Sequence, residues 1–598
     1  MNEGNPAAPS DGLNRAAGWI VAGMCALFTW HVLAWSMEFG KLSVPPDYDD
    51  SHSLVEGAVR SATLRAHGPG AAVQEYLTRM PHSFLHYYLA AGLFAGFGVD
   101  QRVPYWANGL LLLGVLLTFV RQLPPLPALQ KLGFVAAFLG VPISFHLIHD
   151  FRSECTMAGF LFIACGAAVQ WVWAEKSAGR WLALAAVFFA LAFAVKPVMF
   201  PYVGGMLGLC SLLAVGVNWL HPRRKWTLLA RQLALLWGIS LLPFLCHFYL
   251  FREQILKYIW NVAFASDFYK LSASGGARWL FHWQGYSGVW HLSWVKTVFA
   301  AIAASGVLLG CIPHLRGYAP GKIGLSYAFL TAGSFLGIAI NAVNQPFFGM
   351  TFQLLLLSTA LLTLAHYYSR WEQPWIVAGI TLLLGLYWLK ATLTLSFLIP
   401  AALVIALGAG LCWLTRLPGK QWVGVLGSGM LALYCWKVTQ IAPYQNYRDR
   451  TAAEAGPAGL VWRQEGPKQA YEILKPFWNP ARPPLVWVSA YGWVDGNTIG
   501  WEAAKDGKGW KIYNRGELPI DPDKKFPTQA EIIIVPEAGI TGELATPDLS
   551  EAAALPDRLR ADPDFLLLAE IAASNGKKIQ VFQRRISRQA ADPASLGH

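Results

Sequence analysis

Apolar residues arrive in long runs, not in the short alternations of a soluble domain. A helix needs roughly 17 to 25 residues to cross the hydrocarbon core of a bilayer. Runs near that length occur at Ala17–Trp35, Val103–Val120, Leu132–Ile148, Cys155–Ala174, Trp181–Val195, Val198–Leu220 and Leu228–Leu250. They continue at Trp294–Ile312, Ile323–Asn341, Met350–Tyr367, Trp375–Leu389, Thr392–Leu414 and Trp422–Thr439. The pattern predicts about thirteen spans. A shorter apolar segment, Ser83–Gly98, begins between His82 and His86. It is expected to lie at the outer interface or to dip partly into it.

The polar residues between the runs orient them. With the N-terminus in the cytoplasm, the inside loops carry Arg121 and Lys131, Lys176 and Arg180, Arg223 to Lys225, Arg316 and Lys322, Arg370, and Arg416 with Lys420. Every inside loop is then basic, as the positive-inside rule requires. An odd number of spans places the C-terminal region outside, on the same side as the loop after the first span. Two long outer loops result, at 38–102 and 251–293. The second is aromatic and mixed in charge, and Gly275-Gly276 would serve as a hinge if it covers a substrate.

After Thr439 the pattern changes. Residues 443–587 are polar, with Pro476, Pro480, Pro483 and Pro484 as punctuation. Strand-like runs occur at Leu485–Ala490, Glu531–Val535 and Lys578–Phe582, with helix-like stretches between them. The expected organisation is a transmembrane module over 1–442, a small extracytoplasmic α/β domain over 443–587 and a disordered tail over 588–598. The fold class is therefore an α-helical polytopic membrane protein with a small C-terminal α/β domain.

Composition supports this class. Of the 598 residues, 55% are hydrophobic and 14% are charged, whereas soluble chains carry about a quarter charged residues. The net charge of +12 is spread over short loops, which argues for membrane orientation and against a nucleic-acid partner. The first 16 residues carry one Arg. The run that follows is too long for a signal-peptide core, so no cleavable leader is expected. All eight cysteines lie in or beside apolar runs without metal-ligand spacing. They read as small buried apolar residues, not as a disulfide framework or a zinc site.

The candidate chemistry clusters at the outer face. Asp47, Asp49 and Asp50 follow Pro45-Pro46 just past the first span. Glu56, Arg60, Arg65, Glu75 and Arg79 follow in the same loop. The loop between the third and fourth spans reads His149-Asp150-Phe151-Arg152-Ser153-Glu154, and Lys196-Pro197 ends the fifth span. Carboxylates beside cations suit transfer of a group from a phosphate leaving group to a hydroxyl. A carboxylate takes the acceptor's proton, and the cations stabilise charge on the departing phosphate. The same residues also fit a plainer arrangement, in which Lys196 and Arg152 form structural salt bridges with Asp150 or Glu154, and the acidic cluster is a solvated loop.

These segments, in this order, resemble the GT-C glycosyltransferases, in particular the branch of protein O-mannosyltransferases and lipid A aminoarabinose transferases. Asp49-Asp50 resembles the acidic pair of the first outer loop. Pro81, Tyr87-Tyr88 and Phe97-Gly98 resemble the juxtamembrane segment, Arg152-Ser153-Glu154 the second-loop element, and Ala194-Val195-Lys196-Pro197 the lysine motif. The likeness covers residues 1 to about 220 by motif and the remainder by topology. Three positions depart from the pattern. The usual Asp-Glu pair is Asp-Asp, and Lys-Pro-Pro becomes Arg79-Met80-Pro81-His82. The second-loop Asp becomes Glu154, or is replaced by Asp150.

The resemblance implies an inverting transfer from a polyprenyl-phosphate-linked sugar to an acceptor hydroxyl. Asp49, Asp50 or Asp47 would be the base. Arg79, Arg152, Lys196, His82 and His86 would hold the donor phosphate, and Asp150 and Glu154 would bind substrate. The acceptor would be a glycolipid, an envelope glycan or a protein. No cofactor is required, and a divalent metal is compatible with the carboxylates. A transporter or flippase for lipid-linked glycans, an oligosaccharide polymerase or ligase, and a non-catalytic assembly subunit are the alternatives. The first would place charges at mid-membrane and show repeat symmetry.

Overall fold

The structure, a computed structural model, describes residues 11–39, 41–43, 45–46, 48–78, 83–126, 128–139, 141–174, 178–222, 224–260, 300–304, 306–308, 321–339, 349–370, 456–489, 494–514, 518–536, 549–572 and 578–585. Two compact units emerge. One comprises Met1–Ala34, Leu77–His86 and Pro104–Tyr447; the other comprises Trp35–Tyr76, Tyr87–Val103 and Arg448–His598.

In the first unit the helices are α1 (Asp11–Phe39, ending in the second unit), α4 (Arg102–Gln122), α5 (Ala128–Leu139), α6 (Pro142–His149), α7 (Ser153–Trp173), α8 (Ala178–Val195), α9 (Phe200–Leu220), α10 (Trp226–Trp260), α11 (Lys322–Ala339) and α12 (Met350–Arg370). Among the described residues seven helices are long and apolar enough to cross a membrane, or eight if α5 and α6 form one bent span. The protein is a multi-pass membrane protein. The runs expected at Trp375–Leu389, Thr392–Leu414 and Trp422–Thr439, and the Gly275-Gly276 hinge, lie outside the described residues.

Helix α7 is central, with 89% of its span buried. Its sequence explains this position. Ala158, Gly159, Ala164, Gly166, Ala167 and Ala168 let neighbouring helices approach closely. A Cβ on Gly166 would sit 2.3 Å from Thr118 Cγ2 and 2.9 Å from the Tyr327 hydroxyl.

The expected straight span Leu132–Ile148 is broken. The chain bends by 65° between Lys131–Leu139 and Ile143–His149. Val141 is extended (φ −95°, ψ 139°), and Pro142 opens α6. Proline cannot donate to the preceding turn and pushes the residue before it out of the helical region, so the helix stops and restarts.

The second unit holds α2 (Tyr48–Thr78) and α3 (Phe84–Phe97, whose first residues belong to the first unit). The first outer loop, read as a loop from its polarity, is thus largely helical. Gly68 interrupts α2 at φ 73° and ψ −178°, just before Pro69. That positive φ is cheap only for glycine. Gly57 of α2 meets α3, where an added Cβ would lie 2.4 Å from Ala90 Cβ.

The same unit holds a five-stranded sheet of order β2-β1-β3-β5-β4, built from β1 (Leu485–Val488), β2 (Lys511–Asn514), β3 (Ile532–Pro536), β4 (Phe565–Ala572) and β5 (Lys578–Arg584). β1 runs parallel to β2 and β3, with Val486 opposite Ile532. β5 runs antiparallel to β3 and β4. Alternate side chains serve opposite faces. Val486, Val488, Ile532 and Ile534 pack on α13 (Gly456–Leu474) and α14 (Gly496–Lys505). Trp487, Ile533, Val535 and Phe582 pack on α15 (Leu549–Ala561). Helices on both faces explain why β1 and β3 read as unbroken apolar runs.

The α2–α3 contact gives a direct test. Gly57→Leu should destabilise the protein by about 1–3 kcal/mol through overpacking. Gly92→Ala, where an added Cβ meets nothing within 4 Å, should leave the melting temperature unchanged or slightly higher. Thermal unfolding of both purified variants compares them.

Candidate functional site

In the first unit the site is built on the break between α6 and α7. α6 ends when the Asp150 N–H donates to His146 O, and Asp150 and Arg152 are extended. Asn108 of α4 holds this turn by donating to Ile148 O at 3.2 Å and Asp150 O at 3.1 Å. Phe151 is fully buried and stacks on His86, with ring centroids 4.1 Å apart. His86 also lies 3.4 Å from Phe151 O and 3.3 Å from Thr156 Oγ1.

Four ionisable side chains converge here, all buried: Asp150, Arg152, Glu154 and Lys196. Glu154 stands in the first turn of α7, where the positive end of the helix favours a carboxylate. Lys196 is the first residue after α8, and Pro197 opens the short turn that follows. Its ammonium donates to Glu154 Oε1, and the charge of Arg152 also acts on Glu154. Asp150 lies between two imidazoles, with His146 Nδ1 at 3.0 Å from Oδ2 and His149 Nδ1 at 3.6 Å from Oδ1.

In the second unit Asp49 and Asp50 fall in the first turn of α2, after Pro45 and Pro46. Asp50 is only 3% exposed, so for this residue the reading as a solvated acidic loop gives way to a buried carboxylate. Arg60, also 3% exposed, is held by Glu56 one turn earlier and by Glu75 at 3.5 Å. The Tyr87 and Tyr88 rings lie 5.5 and 5.7 Å from its guanidinium carbon. Burial works against the Arg60 charge, but Glu56 and Glu75 outweigh it and raise its pKa. Glu75 lies beyond the Gly68 break and Glu56 before it, so Arg60 ties the two halves of α2 together.

The structure therefore brings His86, Asp150, Arg152, Glu154 and Lys196 together in one unit and places Asp50 in the other. Asp47, Arg79 and His82 lie outside the described residues, as does the side chain of Asp49. Asn108 and His146 are not singled out in the sequence pattern, His149 is named there without a role, and Arg60 is one more charge in a polar loop. Asn108 inside an apolar run, and two histidines three residues apart ahead of Asp150, were signals available in the sequence.

Comparison with solved structures identifies the fold. The chain matches the apo crystal structure of ArnT from Cupriavidus metallidurans with a TM-score of 0.55 and 16% identity, covering 95% of this chain and 98% of that one. It matches the same protein bound to undecaprenyl phosphate with a TM-score of 0.55 and 14% identity, covering 94% and 98%. The fold is that of ArnT. This is the fold expected from the motif resemblance to the aminoarabinose-transferase branch, and it extends over nearly the full length of both chains. No family model and no curated protein sequence matches the chain.

The Lys196–Glu154 pair yields a stability prediction. Lys196→Met leaves a buried carboxylate without its ammonium and should destabilise the protein by about 3–5 kcal/mol. Adding Glu154→Gln should restore much of the loss. Melting temperatures of the single and double variants measure both effects.

Proposed function

We propose that this protein is a membrane glycosyltransferase that moves a sugar from a polyprenyl-phosphate carrier to an acceptor hydroxyl at the outer face of the membrane. The observation that carries this reading is the fold likeness to ArnT over nearly the whole chain, including the form bound to undecaprenyl phosphate. The charged groups supply the parts such a reaction needs. Asp49 or Asp50, with Asp47 beside them, takes the acceptor's proton. The acceptor oxygen attacks the anomeric carbon as the bond from that carbon to the phosphate oxygen breaks, with inversion. The polyprenyl phosphate departs carrying the bonding pair, and cations stabilise it electrostatically.

Arg152 and Lys196 are the described cations suited to the phosphate, with Arg79, His82 and His86 as further candidates. Arg152 offers a fork of donors, and Lys196 a compact charge on a flexible stem. Glu154 holds Lys196 in place before the donor arrives. Asp150, held by its histidines, and Glu154 are proposed to border the bound sugar. The scheme draws on no cofactor and leaves room for a divalent metal between phosphate and carboxylates. The acceptor is a glycolipid, an envelope glycan or a protein.

Asp49 and Asp50 are successive residues in the first turn of α2, so each is tested singly. Transfer from an undecaprenyl-phosphate-linked sugar by purified Asp49→Asn and Asp50→Asn proteins should fall about 10²–10⁴-fold in one of them, with its melting temperature retained. Near-normal turnover in both would move the base elsewhere.

In this proposal the N-terminus is cytoplasmic and the sheet domain extracytoplasmic, in the bacterial inner or plasma membrane. Reporter fusions after Lys225 and after Pro480 should report opposite sides of the membrane. A common side for the two fusions would overturn the orientation.

A further inference from the structure

The second unit contains a cavity of about 470 Å³, within the range of about 300–1,000 Å³ typical of small-ligand sites. Three segments far apart in sequence line it. Ser43 and Pro45 come from the stretch just before the acidic cluster, Asp100 and Gln101 from the turn after α3, and Trp501, Glu502 and Lys505 from α14 of the sheet domain.

Each segment is held in place. Gln101 Nε2 donates to Leu42 O at 2.9 Å, which fixes the first segment against the second. Arg102 grips Asp100 through Nε at 2.8 and 2.9 Å, and this holds the Asp100 carboxyl below the usual carboxylate range. Helix α14 begins with a reciprocal cap: the Asn497 and Thr498 N–H groups donate to Asp495 Oδ1 at 3.0 and 2.9 Å, and the Asp495 N–H donates to Thr498 Oγ1 at 3.0 Å. Positions 501, 502 and 505 share a face of that helix. Lys505 Nζ donates to Glu502 Oε1 at 2.7 Å and sits 5.8 Å from the Trp501 ring centre.

The lining thus alternates acceptors and donors around an aromatic residue. Asp100 and Glu502 accept, and Lys505 donates. Arg102 occupies both oxygens of Asp100, whereas Glu502 receives Lys505 on Oε1 and a carboxylate has more acceptor sites than that one bond fills; hydrogen bonds to it are stronger than neutral ones. Arg102 and Lys505 balance the two carboxylates, so the lining has no surplus positive charge to attract a phosphate and suits a ligand rich in neutral hydroxyls. The cavity also lies close to the acidic cluster along the chain. Asp50 is five residues beyond Pro45, at most about 18 Å of extended backbone.

We propose that this cavity binds the acceptor, and that the acceptor part it holds is a hydroxyl-rich saccharide headgroup. The inference rests on the glycosyltransferase reading and gives the sheet domain a role in that reaction: it supplies one wall of the acceptor site.

The test uses the purified full-length protein, an undecaprenyl-phosphate-linked sugar as donor and the total envelope glycolipid extract of a deletion strain as acceptor. Lys505→Ala and Glu502→Gln should each raise the apparent KM for the extract about tenfold or more. The donor KM, undecaprenyl phosphate binding and melting temperature should stay near those of the parent. Ser43→Trp, which fills the cavity, should block use of the extract while undecaprenyl phosphate still binds. Parent-like KM for the extract in Lys505→Ala and Glu502→Gln, or an equal rise in donor KM, would overturn the proposal while leaving the transferase reading intact. A parent protein that binds undecaprenyl phosphate yet transfers sugar to no fraction of the extract would overturn the reading itself, and the acceptor site with it.

Discussion

An ammonium at the end of an apolar helix has to find an anion, and that constraint shapes the first unit. Lys196 follows the eighteen-residue apolar helix α8 and is buried. A lone charge in such a place is costly, and an ion pair offsets that cost only when both partners are well placed. Glu154 is well placed because α7 begins one residue before it, and α7 begins there because the chain breaks at Asp150–Arg152. That break is stapled by Asn108 and backed by the stacking of Phe151 on His86. One pairing requirement thus links α3, α4, α6, α7 and α8 around one polar cluster of the bundle.

The second unit answers the same constraint differently. Arg60 is as buried as a core residue, yet it has carboxylates from both halves of α2 and two tyrosine rings around it. The rings present their negative faces to the cation, and the carboxylates neutralise it. A bent helix that would otherwise swing about Gly68 is tied at its middle. The acidic cluster in the first turn of this helix therefore rides on a braced element.

Much of this was legible in the sequence, for physical reasons. Long apolar runs have few alternatives to membrane helices, so α4, α7, α8, α9 and α11 follow the pattern closely, whereas α10 continues past the expected end at Leu250 to Trp260, with a break at Phe251. β1, β3 and β5 were marked by dense β-branched residues. β2 was missed because it is four residues long and only one of them is buried. β4, Phe-Leu-Leu-Leu-Ala-Glu-Ile-Ala, was missed because its opening apolar run, Phe565–Ala569, has no period that separates strand from helix. The bend at Pro142 was missed because hydropathy averages over a proline. In the candidate site the residue types were readable, but their pairing was not. Whether Lys196 meets Asp150 or Glu154 depends on where a helix starts, to within one turn, and sequence patterns do not resolve that.

Among the described residues the sheet of the C-terminal region ends in two edge strands, β2 and β4, and each is blunted in its own way. β2 offers only four residues and begins with the exposed Lys511. β4 is twice as long and apolar, but its pairing slips between Leu567 and Ala569, and Glu570 beyond the slip is ringed by Lys578 and Arg560. Short length, a bulge and charge are the means by which natural sheets refuse an incoming strand. A membrane protein diffuses in two dimensions, where copies meet often and always in the same orientation. Under those conditions an open, regular edge would be a template for pairing between neighbours, and a slipped, charged β4 is a poorer one.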